Sequence, residues 1–122
     1  MSLGESRENY LKSILILKDT MGAVRSVDLS HFMGFSKASI SIALKKLCEG
    51  GFVRMQEDGA LELTETGRAE AEAIYERHCF FEQKLMELGV SMERAHADAC
   101  RLEHAISAES FAVVRRQGAK GS

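Results

Sequence analysis

A mainly α chain with one small β-hairpin is what this sequence predicts, on three observations. The 122 residues contain no proline, and a chain free of that helix breaker favours helices over a sandwich or barrel. Apolar residues recur at helical spacing along most of its length, with glycines mostly at plausible boundaries. Only around Asp58-Gly59 does the spacing switch to the alternation of paired strands. The length suits one ordinary domain or two very small ones, and 45% apolar residues are enough to build a core.

Taken in order, residues 6–21 place Tyr10, Leu11, Ile14, Leu15 and Leu17 at helical spacing behind Ser6, a candidate cap, and Gly22 ends the helix. Ser26 is the expected cap of a second, short helix to Met33, offering Val27, Leu29 and Phe32 for burial. Gly34-Phe35-Ser36 reads as a tight turn, with Ser36 capping a third helix to about Glu49. There Ile40, Ala43, Leu44 and Leu47 make one apolar stripe, and Lys37, Ser39, Ser41, Ile42, Lys45 and Lys46 lie largely outside it. Gly50-Gly51 stops that helix.

Val53 and Met55 then alternate with Arg54 and Gln56, and Leu61 and Leu63 with Glu62 and Thr64. Asp58-Gly59 between them signals a hairpin, because both residues tolerate the positive φ of a tight turn. Three helices and a β-hairpin wing form a winged helix-turn-helix, whose third helix is short and polar enough on one side to enter a major groove. The plainer alternative is a small helical domain that the hairpin merely caps. A fourth helix opens at Thr64-Glu65 and runs to about Leu88, where Gly89 ends it. A fifth spans about Ser91 to Ile106, and Ser107-x-x-Ser110 starts a last one through Val114. The expected division is a winged helix-turn-helix over 5–66, a helical domain over 67–116 and a disordered tail over 117–122.

Charge is unevenly spread. Arg7 to Arg54 carries eight Lys/Arg against four acids, whereas Met55 to Glu109 carries five against thirteen. A basic half that could face a polyanion is joined to an acidic half that could hold cations. No apolar run approaches the roughly eighteen residues of a membrane span. The N-terminus lacks the basic and apolar regions of a secretory signal. Three cysteines with no Cys-x-x-Cys pair argue against a disulfide scaffold, so a cytoplasmic location is expected.

The later helices hold the chemistry. His78 and Glu82 are four apart and share a helical face. On the next helix His96, Cys100, Glu103 and His104 project within an arc of about 100°. Imidazole, thiolate and carboxylate on one face suit a borderline transition metal. Cys48 and Cys79 read as small buried hydrophobes and His31 as an ordinary helical histidine. Cys100 as nucleophile with His104 as base is conceivable on spacing, but no phosphate loop or oxyanion motif accompanies the pair, so no enzyme is expected. Two other regulator readings remain: a winged helix responding to a small organic ligand, or one that recruits a partner protein.

A winged helix followed by Cys-x-x-Glu-His resembles the diphtheria-toxin-repressor and manganese-transport-regulator (DtxR/MntR) family of metal-dependent transcriptional repressors. The resemblance runs from residue 8 to about 114 through Glu8-Asn9-Tyr10-Leu11, Leu63-Thr64-Glu65-Thr66-Gly67-Arg68, Arg77-His78 and Asp98-Ala99-Cys100-Arg101-Leu102-Glu103-His104. It implies that the second domain is a helical metal-binding and dimerisation domain. It also implies a primary site of Cys100, Glu103 and His104 completed by Asn9, and an ancillary site of His78, Glu82 and His96. Position 9 is usually Met or Asp in the well-known branches, and Asn offers a neutral carbonyl oxygen. The manganese branch carries acids where this chain has Cys100 and Lys12, so iron(II) is the expected metal and manganese(II) the second. Zinc(II), cobalt(II) or nickel(II) would also bind in vitro.

The implied partner is a pseudo-palindromic operator in double-stranded DNA, bound by a metal-activated homodimer that represses metal-uptake genes. Ser36, Lys37, Ser39, Ser41, Lys45, Lys46 and Arg54 are the candidate DNA contacts. The chain would be a short form, without the SH3-like domain of longer members.

Overall fold

The computed structural model describes residues 3–120, and the side chains of residues 6–118. Six helices and two strands follow in the order α1 (Leu3–Met21), α2 (Ser26–Met33), α3 (Lys37–Glu49), β1 (Val53–Met55), β2 (Leu61–Leu63), α4 (Glu65–Glu87), α5 (Met92–Leu102) and α6 (Ala108–Lys120). They form two compact units divided between Glu72 and Ala73, within α4. No helix among the described residues is long and apolar enough to cross a membrane.

The first unit is the three-helix and hairpin arrangement. α1 buries Tyr10, Leu11, Ile14, Leu15 and Leu17, α2 adds Leu29, and α3 adds Ile40, Leu44 and Leu47. The strands are antiparallel with Val53 opposite Leu63, Arg54 opposite Glu62 and Met55 opposite Leu61. Val53, Leu61 and Leu63 turn inward, and the Leu61 N–H donates to Val24 O at 2.7 Å, so the hairpin is also tied to the segment before α2. Between α2 and α3 the turn is closed by Gly34 at φ 74° and by the Ser30 hydroxyl donating to Phe35 O at 2.6 Å. Ser36 caps α3 by accepting from the Ser39 N–H at 3.1 Å.

Several expectations need correction. α1 starts at Leu3, so Ser6 lies inside it and is no cap. Ser26 is the first helical residue of α2, because the preceding Arg25 N–H already finds Asp28 Oδ2 at 2.9 Å. Val27 and Phe32 stay exposed, since this eight-residue helix turns a single stripe, centred on Leu29, toward α1 and α3. In the wing only Gly59 has positive φ. Gln56 and Ala60 close the turn through Gln56 N to Ala60 O at 2.8 Å, leaving Glu57, Asp58 and Gly59 as the loop. Met55, near its tip, is half exposed.

In the second unit Ile74, Ala95, Ala99 and Phe111 are buried, and Phe111 packs edge-on against Phe80 at 5.6 Å between ring centroids. α5 ends at Leu102 rather than near Ile106. The Arg77 guanidinium from α4 donates to Glu103 O at 3.3 Å and Ile106 O at 3.0 Å, satisfying carbonyls beyond the helix end. α6 extends past Val114 to Lys120, with Gly118 close against the Phe80 ring, so positions 117–120 are helical rather than frayed. The rest of the expected tail, 121–122, lies outside the described residues. Cys79 is exposed on α4 and Cys48 only half-buried, so neither is the small core residue expected.

Candidate metal centre and nucleic-acid interface

Residues from α4, α5 and the turn after α5 come together in the second unit. His78 and Glu82 are one helical turn apart on α4, and His78 Nε2 lies 2.9 Å from Glu82 Oε2. His78 Nδ1 lies 2.9 Å from Glu103 Oε1, and Glu103 is wholly buried. His96 Nδ1 approaches the same Glu82 oxygen at 2.7 Å. Cys100 Sγ stands 3.8 Å from both His78 Nδ1 and His96 Nε2. His104 is half-buried in the turn after α5, its side chain only 5% exposed, with Nε2 3.5 Å from Glu103 Oε2. The His96 hydrogen bond holds the Glu82 carboxyl below its usual range against the opposing pull of burial, and His78 adds to the lowering.

The charges in this cluster suit a cation. Both ring nitrogens of His78 face carboxylate oxygens, which only accept hydrogen bonds when ionised. His78, His96 and Cys100 also offer one ligand atom each within 4.8 Å of one another. Nitrogen, sulfur and oxygen donors together match a borderline divalent transition metal, so the residues fit the group the sequence called for. The two expected ligand sets are contiguous, with His78 touching Glu82 of one and Glu103 of the other. Asn9 lies on α1, in the first unit.

Sequence reasoning named Arg77 only as part of the Arg77-His78 motif and gave it no role beside the cluster. Its guanidinium secures the main chain at Glu103, and no local signal could have shown a contact across 26 residues.

The candidate DNA-reading residues all belong to the first unit. Ser36, Lys37, Ser39, Ser41, Lys45, Lys46 and Arg54 are exposed, the first six at the cap and along α3 and the last on β1. Ser36 and Ser39 also serve the helix cap, their hydroxyls 3.0 Å apart. Behind the helix, Arg7 binds Glu70 through Nε at 2.9 Å and Nη2 at 2.7 Å, tying α1 to the start of α4.

Comparison with known proteins adds the following. The N-terminal DNA binding domain of the iron dependent repressor family matches residues 2–61, and its metal binding and dimerisation domain matches residues 64–117. Transcriptional regulator MntR of Salmonella typhimurium is 35% identical over 104 residues, 85% of this chain and 66% of the relative. Iron-dependent repressor IdeR of Mycobacterium tuberculosis is 32% identical over 106 residues, 86% of this chain and 46% of the relative. A manganese-dependent transcriptional repressor solved in complex with manganese superposes with a TM-score of 0.81 at 33% identity, over 91% of this chain and 51% of that one. The chain thus spans just under two thirds of the first relative and about half of the other two. With both family domains matched in order, one over the winged helix and the other over the donor cluster, the chain belongs to the DtxR/MntR family of metal-dependent transcriptional repressors.

Proposed function

We propose that this protein is a metal-activated transcriptional repressor that binds a pseudo-palindromic operator as a homodimer and controls metal-uptake genes from the cytoplasm. The observation that carries the reading is the cluster around His78, where two carboxylates lie 2.9 Å from the ring nitrogens, a thiol stands 3.8 Å away and a second imidazole packs edge-on at 4.9 Å between ring centroids. A sensor of an organic ligand or a partner protein has no use for converging nitrogen, sulfur and oxygen donors. Cys100, Glu103 and His104 are the proposed primary ligands, with Asn9 as a carbonyl-oxygen donor. His78, Glu82 and His96 are the proposed ancillary ligands. Iron(II) is the first choice because the Cys100 thiolate softens the site, and manganese(II) is the second. When bound, the metal supplies a positive charge that these residues share, and with it a preference for the DNA-competent conformation.

Dimerisation is supported by the apolar surface of the second unit, where Met86, Leu88, Met92, Leu102, Val113 and Val114 are exposed. At the DNA, Lys37, Ser39 and Ser41 approach base edges and phosphates, while Lys45, Lys46 and Arg54 neutralise phosphates. If metal prefers the DNA-competent conformation by about a hundredfold, it shifts the equilibrium by about 2.7 kcal/mol.

An anaerobic operator titration with iron(II), manganese(II), zinc(II) and chelator alone tests this. Strong binding only with metal is expected, and His104→Ala abolishes the stimulation while leaving the helical circular dichroism intact. Equal binding after thorough chelation overturns the proposal.

A further inference from the structure

The exposed face of α3 has an apolar pole. Its buried stripe is Ile40, Leu44 and Leu47. At about 100° per residue, the direction opposite that stripe falls nearest Ile42, within about 15°, with Ala38 one turn earlier on the same side. Ile42 is 62% exposed, and Ala38 is exposed as well. Lys45 and Lys46 flank this pole on either side, each about 40° to 60° away. The helix therefore presents a branched hydrocarbon at its outermost point and cations along its shoulders.

That layout constrains what it can read. A helix lying in a major groove brings its pole closest to the base edges and its shoulders to the phosphate walls. Isoleucine has no donor or acceptor for the N7, O6, N6, N4 or O4 groups there, and burying those groups without partners is costly. The thymine C5-methyl is the one apolar group that the four base pairs present in the groove. Ile42 is also β-branched, so in a helix its side chain holds essentially one rotamer.

We propose that Ile42 reads a thymine methyl in each operator half-site, which makes thymine the base selected at that position. The inference rests on the repressor reading, since it needs α3 in a major groove.

The test uses the full chain with manganese(II), and duplexes enriched by it from a randomised pool. Thymines in the enriched duplex are replaced one at a time by uracil, which differs only by the missing methyl. One thymine per half-site is expected at which the replacement weakens binding by about threefold to fivefold, the effect of one buried methyl. In Ile42→Ala, a truncation at an exposed position whose retained fold is checked by its far-ultraviolet spectrum, the same replacement changes binding by less than about 1.5-fold, because the contact is already gone. Ile42→Gln shifts the enriched base away from thymine. Wild-type binding indifferent to every uracil, or an equal loss in Ile42→Ala, overturns the thymine contact while leaving the repressor reading standing. Failure to enrich any duplex under manganese(II) or iron(II) overturns both.

Discussion

Gly67 shows how tightly a single position can be held. It lies in the first turns of α4, and a Cβ added there would fall inside the van der Waals sphere of the Phe52 carbonyl oxygen. That oxygen also accepts from the Thr64 N–H at 3.0 Å, so it is backbone held in place and cannot give way. Gly67→Ala is expected to destabilise the protein by about 3 kcal/mol or more, a steric cost at the upper end for one substitution. A urea midpoint equal to the wild type's would show that the close approach does not exist. Arg77 acts more subtly, by securing the main chain at Glu103 and Ile106. Arg77→Ala is expected to weaken metal binding by about tenfold, in line with other groups that orient ligands rather than bind the ion. Competition against a chelating dye measures this, and undiminished affinity would remove Arg77 from the site.

Among the elements, the wing depends on a carboxylate at its tip. Asp58 Oδ1 accepts from the Ala60 N–H at 3.0 Å, and this bond, helped by Arg25, holds the Asp58 carboxyl below its usual range. The stabilisation is therefore fully present above the unfolded-chain value near 3.8 and is lost as pH falls through the lower folded value. Asp58→Asn should be less stable than wild type at neutral pH, with the difference shrinking as the pH is taken below about 3.5. A difference that grows on acidification contradicts the assignment. Within the second unit α5 stops at Leu102, where Arg77 meets the main chain just past its end, and this places Glu103 and His104 at and beyond the helix end.

For the whole molecule, the net charge of −2 conceals a cationic first half. Lys37, Lys45, Lys46 and Arg54 are exposed on the first unit. A homodimer would bring about eight such cations to DNA, so the logarithm of the binding constant should fall against that of salt with a slope of about −7. Lys45→Ala should flatten the slope by about two while leaving the preferred sequence unchanged. A slope near zero in fluorescence-anisotropy titrations would mean that phosphate contacts do not drive the association.

What the sequence by itself determined is whatever depends on neighbours a few residues apart. Helical periodicity placed the stripe of α3 and its capping Ser36, the alternation around Asp58-Gly59 placed the wing, and fixed spacing put His78 with Glu82 and His96 with Cys100. Helix ends were less legible, because the contacts that stop α5 come from Arg77 on another helix. The exposure of Cys79 and Phe32 likewise depends on which faces find partners, and a local pattern carries no record of that. Only the tertiary structure decided that His78 stands between Glu82 and the buried Glu103. The two carboxylates are 21 residues apart in the chain, and only the packing of α5 beside α4 brings their charges onto one imidazole.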